Sequence, residues 1–310
     1  MKLGYACINM DLSYPTREQK KKGMVPITTN RTMIKRTFLE KGNDYASELA
    51  LANVKDLKAI IEWNIKHGIK FFRMASDMFP WSSEFEIESM KHYDEIKYHL
   101  GQAGDLATRN DVRLSFHPGP FNVLASPSEK VVQRCITDLT IHGKIMDMLN
   151  QSRTPYNKIN IHVGGAYGDK KSALERFCKN FHRLPDSVKT RLTVENDDKA
   201  SMYSTKDLYE GVYKNINIPI VFDYHHHKFC DGGQTEKEAL TLAASTWNGI
   251  VPACHYSESR ALEQNDPSIR GQAHSDFVYE AVDTHGIEFD LMFEAKMKNQ
   301  AVLKYRELHG

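Results

Sequence analysis

Six apolar runs of the chain each finish on a residue able to hold a metal ion: Ser115-Phe116-His117, Asn160-Ile161-His162, Thr193-Val194-Glu195, Val221-Phe222-Asp223, Ala253-Cys254-His255 and Met292-Phe293-Glu294. Positions 117, 162, 195, 223, 255 and 294 are separated by 45, 33, 28, 32 and 39 residues, each gap about one strand-plus-helix unit. In an α/β barrel every strand delivers its last residue to one common mouth, so ligands distant in sequence meet there. Asp223-x-x-His226 can add a second contact from the same turn. Imidazole and carboxylate together suit Mn²⁺, Zn²⁺ or Fe²⁺, and the absence of a Cys ligand pattern argues against a structural zinc site. With His274 in a later loop, the candidate ligands number eight: His117, His162, Glu195, Asp223, His226, His255, His274 and Glu294. That exceeds what one catalytic ion needs, so two or three divalent ions are expected, with Glu195 able to bridge neighbours. Such clusters suit in-line displacement at phosphorus, which makes phosphodiester hydrolysis the natural reaction class.

The elements that must carry these residues can be read from the same string. Eight β-type runs fall at about 2–9, 69–75, 112–117, 158–163, 192–195, 218–223, 250–256 and 289–294, most of them apolar throughout, as buried parallel strands are. Between them, residues 44–67 carry apolar residues mainly on one face and end at His67-Gly68, a C-cap signature. Residues 127–149 predict a helix with Pro127 in its first turn, and Thr235 with Glu238 predicts a capped helix start. The alternation points to a (β/α)8 TIM barrel spanning 1–310 as one domain, with a doubly wound open sheet as the alternative. Two long connections, 10–30 with Lys20-Lys21-Lys22 and 256–276 with Arg260 and Arg270, are expected at the mouth. The lysine run suits either phosphate contact or a solvated surface.

Composition bounds the function class. The 310 residues are 41% hydrophobic and 26% charged, and 41 basic against 40 acidic residues leave a net charge of +1. There is no global footprint for a polyanion, so any nucleic-acid face must be local. Five scattered cysteines give neither a disulfide framework nor a zinc knuckle, and the chain reads as intracellular. No stretch approaches the roughly 20 apolar residues of a membrane helix, and the N-terminus lacks the apolar core of a signal peptide. Without a heptad seam, a monomer is the default expectation.

The order of motifs resembles the UV damage endonucleases, which are related in fold to endonuclease IV and xylose isomerase-like barrels. The resemblance rests on Leu3-Gly4-Tyr5-Ala6-Cys7-Ile8-Asn9, Thr28-Thr29-Asn30-Arg31-Thr32, Phe72-Arg73-Met74-Ala75-Ser76-Asp77-Met78-Phe79-Pro80, and the His117-Pro-Gly, His162-Val-Gly-Gly-Ala-Tyr-Gly, Glu195-Asn-Asp, Asp223-Tyr-His-His-His and Glu294-Ala-Lys motifs. It implies a Mn²⁺-dependent enzyme that nicks double-stranded DNA directly 5′ to a UV photoproduct and leaves a 3′-hydroxyl and a 5′-phosphate, with Zn²⁺, Co²⁺ or Mg²⁺ as other ions. It assigns metal ligation to the eight residues above, and His274 rests mainly on it. It also places Tyr5 and Asn9 near the damaged strand and Lys296 beside the metals. An extended strand would put Lys296 on the same side as Glu294, where it could neutralise the attacked phosphate or pair with a ligand carboxylate.

This chain departs from the family pattern at three places. A Gln-Tyr pair often follows His-Pro-Gly, whereas here the pair is Pro120-Phe121. An aromatic wedge survives without its polar partner. A lysine that some members carry two residues before the seventh-strand histidine is Ala253, and Asp77 stands where some carry His. Aromatics expected near the mouth are Tyr5, Phe79, Trp81, Phe121, Tyr167, Tyr224 and Tyr256, while Arg73, Arg260 and Arg270 are expected to meet phosphates or form ion pairs. Alternatives are an abasic-site endonuclease of endonuclease IV type, a xylose isomerase-like isomerase or epimerase, and a damage-binding protein that has lost incision.

Overall fold

A computed structural model describes all 310 residues. Its strands are β1 Leu3–Ala6, β2 Phe71–Arg73, β3 Arg113–Ser115, β4 Ile159–Ile161, β5 Leu192–Glu195, β6 Ile220–Asp223, β7 Ala253–Tyr256 and β8 Asp290–Phe293. Each lies within the β-type run read from the sequence. All pairs are parallel, in the order β3-β2-β1-β8-β7-β6-β5-β4. The two ends of that series meet at Phe116, whose N–H donates to the Lys158 carbonyl at 2.9 Å and whose carbonyl accepts from the Asn160 N–H at 3.0 Å. The sheet is therefore closed into a TIM barrel, which rules out the open doubly wound alternative.

Strand alternation divides the side chains into two sets. Tyr5, Phe72, Leu114, Ile161, Val194, Phe222, Cys254 and Phe293 face outward and join the main core beneath the helices. Ala6, Phe71, Val221, Ala253 and Met292 face the barrel axis and form a small inner cluster with Trp247. The floor is plugged by Arg113, whose guanidinium pairs with Asp290 at 3.0 Å and lies over the Phe71, Tyr156 and Trp247 rings. Beneath the ligands the interior is filled, so only the C-terminal mouth is open to chemistry.

The helices largely match their patterns. Lys35–Lys66 begins earlier than expected and is interrupted at Gly42, where φ is 64° and ψ is −159°; it ends at His67 with Gly68 at φ +67°, as the C-cap signature predicts. Glu129–Met148 starts from Ser128, so Pro127 lies before the helix rather than in its first turn. Thr235 and Glu238 form a reciprocal capping box at the head of Glu236–Ser245. Regular alternation fails after β7. There the connection holds only one helical turn, Arg260–Glu263, before Asp266-Pro267 and Gly271 break the pattern, and Ser259 pairs antiparallel with His274. This irregular return carries His274 back toward the mouth.

Candidate metal centre

His117, His162, Glu195, Asp223, His255 and Glu294 share the parity that faces the barrel axis. Each stands two residues beyond an interior position, Ser115, Asn160, Thr193, Val221, Ala253 and Met292 respectively. Their heads converge at the top of the barrel around Glu195, which is fully buried. One Glu195 oxygen lies 3.1 Å from His117 Nε2 and 3.1 Å from His255 Nδ1, and the other lies 3.5 Å from His226 Nδ1 and 3.9 Å from His162 Nε2. Two groups of donor atoms result. His117, Glu195, His255 and Glu294 form one, His162, Glu195 and His226 the other, and the atoms of each lie within 4.8 Å of one another. Glu195 belongs to both. Asp223 and His274 stand at the edges: Asp223 Oδ2 is 4.0 Å from His226 Nε2, and His274 Nε2 is 3.8 Å from Glu294 Oε2.

Neighbouring oxygens fix the ring orientations. The Nδ1 atoms of His117, His226 and His274 hydrogen-bond to Pro118 O at 3.3 Å, Asn196 O at 2.9 Å and Ser257 Oγ at 2.6 Å, and His162 Nδ1 lies 3.0 Å from Asp197 Oδ1. An oxygen behind one ring nitrogen is the usual support for a metal-binding imidazole. His255 is turned the other way, with Nε2 3.0 Å from Lys158 Nζ and Nδ1 facing Glu195 and Glu294. Asn160 donates to Glu195 Oε2 and accepts from Thr193 Oγ1, and Asn196 ties the ends of β5 and β6 through two hydrogen bonds to the Asp223 backbone.

The electrostatics are those of a site shaped for cations. Burial would raise Glu195, but His255, His162 and His117 hold it well below the usual carboxylate range. Burial likewise opposes ionisation of Glu294, and Arg73 with His255 overcomes it. Asp223 is pushed up by burial and by the nearby Glu195 and Glu294 charges. For His162 and His226 burial favours the neutral ring, yet Glu195 and Asp197 raise the first to about 9, and Asp223, Glu195 and Glu294 raise the second to about 10. Burial dominates at His117, which falls to about 4. Glu195 Oε1, Asp223 Oδ2 and His255 Nδ1 are buried without a hydrogen-bond partner. Such orphaned atoms are costly unless something satisfies them, and a nitrogen-and-carboxylate donor set of this kind fits divalent Mn, Zn or Fe.

Several residues expected at the DNA face lie elsewhere. Tyr5 and Asn9 are fully buried. Tyr5 sits at outward parity on β1, packs against Phe72, and donates to Asn64 Oδ1 at 2.7 Å, while Asn9 donates to Tyr5 and caps the turn at Met10. Tyr256 is outward-facing and packs on Tyr224 and Phe293; Phe79 and Tyr224 are buried, and Trp81 stacks on Phe38. Arg73 is bound to Glu294 rather than free for phosphate. Lys296 departs from the strand argument because β8 stops at Phe293; its side chain is exposed and makes no hydrogen bond or ion pair. Asp77 is exposed and supports no ligand. Pro120, Phe121 and Tyr167 do reach the surface: Phe121 is 87% exposed, and Tyr167, at φ 50°, is half exposed with Arg176 over its ring.

Lys158, Asn160, Asn196 and Asp197 are supporting residues that the sequence reading missed. The signal for two of them was available, since Lys158, Asn160 and His162 alternate with Ile159 and Ile161 and so share an inward face.

Comparison with known proteins agrees with this geometry. The model of the UV-endonuclease UvdE family matches residues 1–309. The UV-damage endonuclease of Schizosaccharomyces pombe is 37% identical over 98% of this chain, which spans 50% of that protein's length. The UV DNA damage endonuclease of Clostridium perfringens is 35% identical, with 69% of its length covered. Among solved structures, SacUVDE superposes with a TM-score of 0.82 at 30% identity over 99% of both chains. Endonuclease IV from Thermus thermophilus, at 12% identity and TM-score 0.55 over 82% of this chain and 93% of its own, shares the fold. A match along nearly the whole length, with the strand-end ligands converging as described, establishes that the chain belongs to the UV-endonuclease UvdE family.

Proposed function

We propose that this chain nicks double-stranded DNA immediately 5′ to UV photoproducts, cyclobutane dimers and 6-4 photoproducts, leaving a 3′-hydroxyl and a 5′-phosphate, with two or three Mn²⁺ ions as cofactor. The observation that carries the reading is the pair of ligand groups joined by the buried Glu195 at the barrel mouth. His117, His255 and Glu294 would hold one ion, His162 and His226 another, with Asp223 and His274 at the margins. Divalent ions there would supply charge neutralisation to a phosphodiester and lower the pKa of water. The protein's own part is positional. Glu195 is held ionised between the groups, and Asn160, Asn196 and Asp197 restrain Glu195, Asp223 and His162.

Lesion recognition needs the duplex bent and bases extruded, which costs least where pairing is already weakened. Phe121, exposed behind Pro120, suits insertion as a wedge. Beside it runs a groove of about 770 Å³ whose wall includes Lys130 and Arg134, cations suited to phosphate. Tyr167 over Arg176 offers a further stacking surface. No helix is long and apolar enough to cross a membrane, and the proposed partner is DNA, bound by a monomer inside the cell.

The decisive assay incubates the protein with Mn²⁺ and end-labelled duplexes carrying a thymine dimer, an abasic site or no damage. A single nick directly 5′ to the dimer, with a 3′ end that a polymerase extends, is expected; incision of the abasic duplex would add the related activity. Intact dimer duplex under Mn²⁺, Co²⁺, Zn²⁺ and Mg²⁺, or equal cutting of undamaged DNA, would overturn the proposal.

A further inference from the structure

Five histidines surround the candidate centre, and four have an oxygen at Nδ1: Pro118 O, Asp197 Oδ1, Asn196 O and Ser257 Oγ. The fifth, His255, has an amine at Nε2. Lys158 immediately precedes β4, is fully buried, and extends across the barrel interior to β7, where its Nζ lies 3.0 Å from His255 Nε2. That contact occupies Nε2 and leaves Nδ1 3.1 Å from Glu195 and 3.2 Å from Glu294. Nδ1 itself has no hydrogen-bond partner. The side chain beneath His255 on its own strand is Ala253, too short to reach the ring. No neighbouring group on β7 can therefore set the ring's orientation.

We infer that Lys158 is a positioning residue for the metal centre: its uncharged amine accepts the Nε2–H of His255, so that Nδ1 carries no proton and is the atom delivered to the ion shared with Glu195 and Glu294. The inference rests on the metal-centre reading above and adds to it a specific atom and a specific support. A buried lysine is a costly way to fill space, because its amine must be taken out of water. A purely space-filling role would be served better by an apolar side chain of similar length. Orientation of a ligand is a role that an apolar chain cannot fill.

Lys158→Met keeps the length and removes the amine. Calorimetric titration of metal-free protein with MnCl₂ should show the variant binding at least one ion about 10–100-fold more weakly, the usual scale for loss of a ligand's support. Its melting temperature in chelator should be unchanged or higher, since a buried amine has been removed. Wild-type Mn²⁺ affinity in the variant, or a lower chelator-state melting temperature with affinity intact, would overturn the inference while leaving the metal centre standing; failure of the wild type to bind Mn²⁺ would overturn both. A crystal structure of the wild-type protein grown with Mn²⁺ supplies a check that needs no variant. Coordination by His255 Nδ1 with Lys158 on Nε2 supports the inference, and coordination by Nε2 ends it.

Discussion

Glu195 is the one carboxylate common to both ligand groups, and it has no exposure through which water could replace a lost partner. Glu195→Gln keeps the shape and the hydrogen bond from Asn160 but removes the charge that His117, His162, His226 and His255 face. We expect incision to fall by orders of magnitude and bound Mn²⁺ to drop below the wild-type stoichiometry, with circular dichroism unchanged; elemental analysis beside the nicking assay checks both. Turnover near wild type would contradict the bridging role. Phe121 tests the opposite situation. Being 87% exposed, it contributes little to the fold, so Phe121→Ala should leave stability within about 0.5 kcal/mol. Binding to a dimer-containing duplex in chelator should weaken by roughly 1–3 kcal/mol, the scale of a lost base–aromatic contact, as read by fluorescence anisotropy. Equal affinity for the variant would remove Phe121 from lesion recognition.

At the scale of elements, the helices Tyr93–Arg109 and Glu129–Met148 meet where Gly104 lies against the turn that ends the second. A Cβ on Gly104 would sit 1.7 Å from the Leu149 carbonyl oxygen, so one or both helices would have to move. Gly104→Ala should therefore destabilise by about 1–3 kcal/mol or more despite the better helix propensity of alanine, measurable by urea unfolding. The same helix end is tied to the start of β5 by Asp147, which accepts from Arg191 at 2.8 Å and Arg153 at 2.6 Å. Burial acts to raise the Asp147 pKa, but these two guanidinium groups hold it below the ordinary value. A depressed folded-state pKa contributes stability that is present above the unfolded value of about 3.9 and is lost as pH falls through the lower folded value. Asp147→Asn leaves the fully buried Arg191 without its counter-charge and should cost about 1–3 kcal/mol at neutral pH. That difference from wild type should shrink as pH drops below about 4. A pH-independent difference in thermal melts would assign the effect to packing instead.

The whole molecule is a graded cylinder: an Arg113–Asp290 ion pair at the floor, an apolar belt of Phe71, Val221, Ala253 and Met292 above it, and imidazoles and carboxylates at the rim. Ligands at the rim come from the ends of six of the eight strands, one helical turn and one loop, so an ion bound there links segments from 117 to 294. Because an ion bound only by the folded state stabilises it, by about 2.7 kcal/mol per site at a hundredfold excess over Kd, chelation should lower the melting temperature and Mn²⁺ should restore it. Identical melts with and without chelator would argue against occupied sites.

The positions of the strands and the barrel itself were legible in the chain, because each buried parallel strand is a short apolar run ending in a polar residue and the runs recur at strand-plus-helix intervals. The same regularity pointed to the six strand-end ligands, since parity along a strand is a local property. Parity also fixed Tyr5 and Tyr256, one residue from inward positions, on the outward face; the family resemblance had suggested DNA contact for Tyr5, and an expected place near the mouth had suggested it for Tyr256. What the string left undecided depends on distance across the fold. Lys296 was read as continuing β8, but the strand ends at Phe293 when its partner β7 ends at Tyr256. The return of His274 depends on its pairing with Ser259, and the union of two ligand groups at Glu195 depends on barrel closure at Phe116. The orientation of His255 depends on Lys158, a residue 97 positions away on the far wall. Local periodicity determines which face a residue takes; only closure of the barrel determines which residues that face meets.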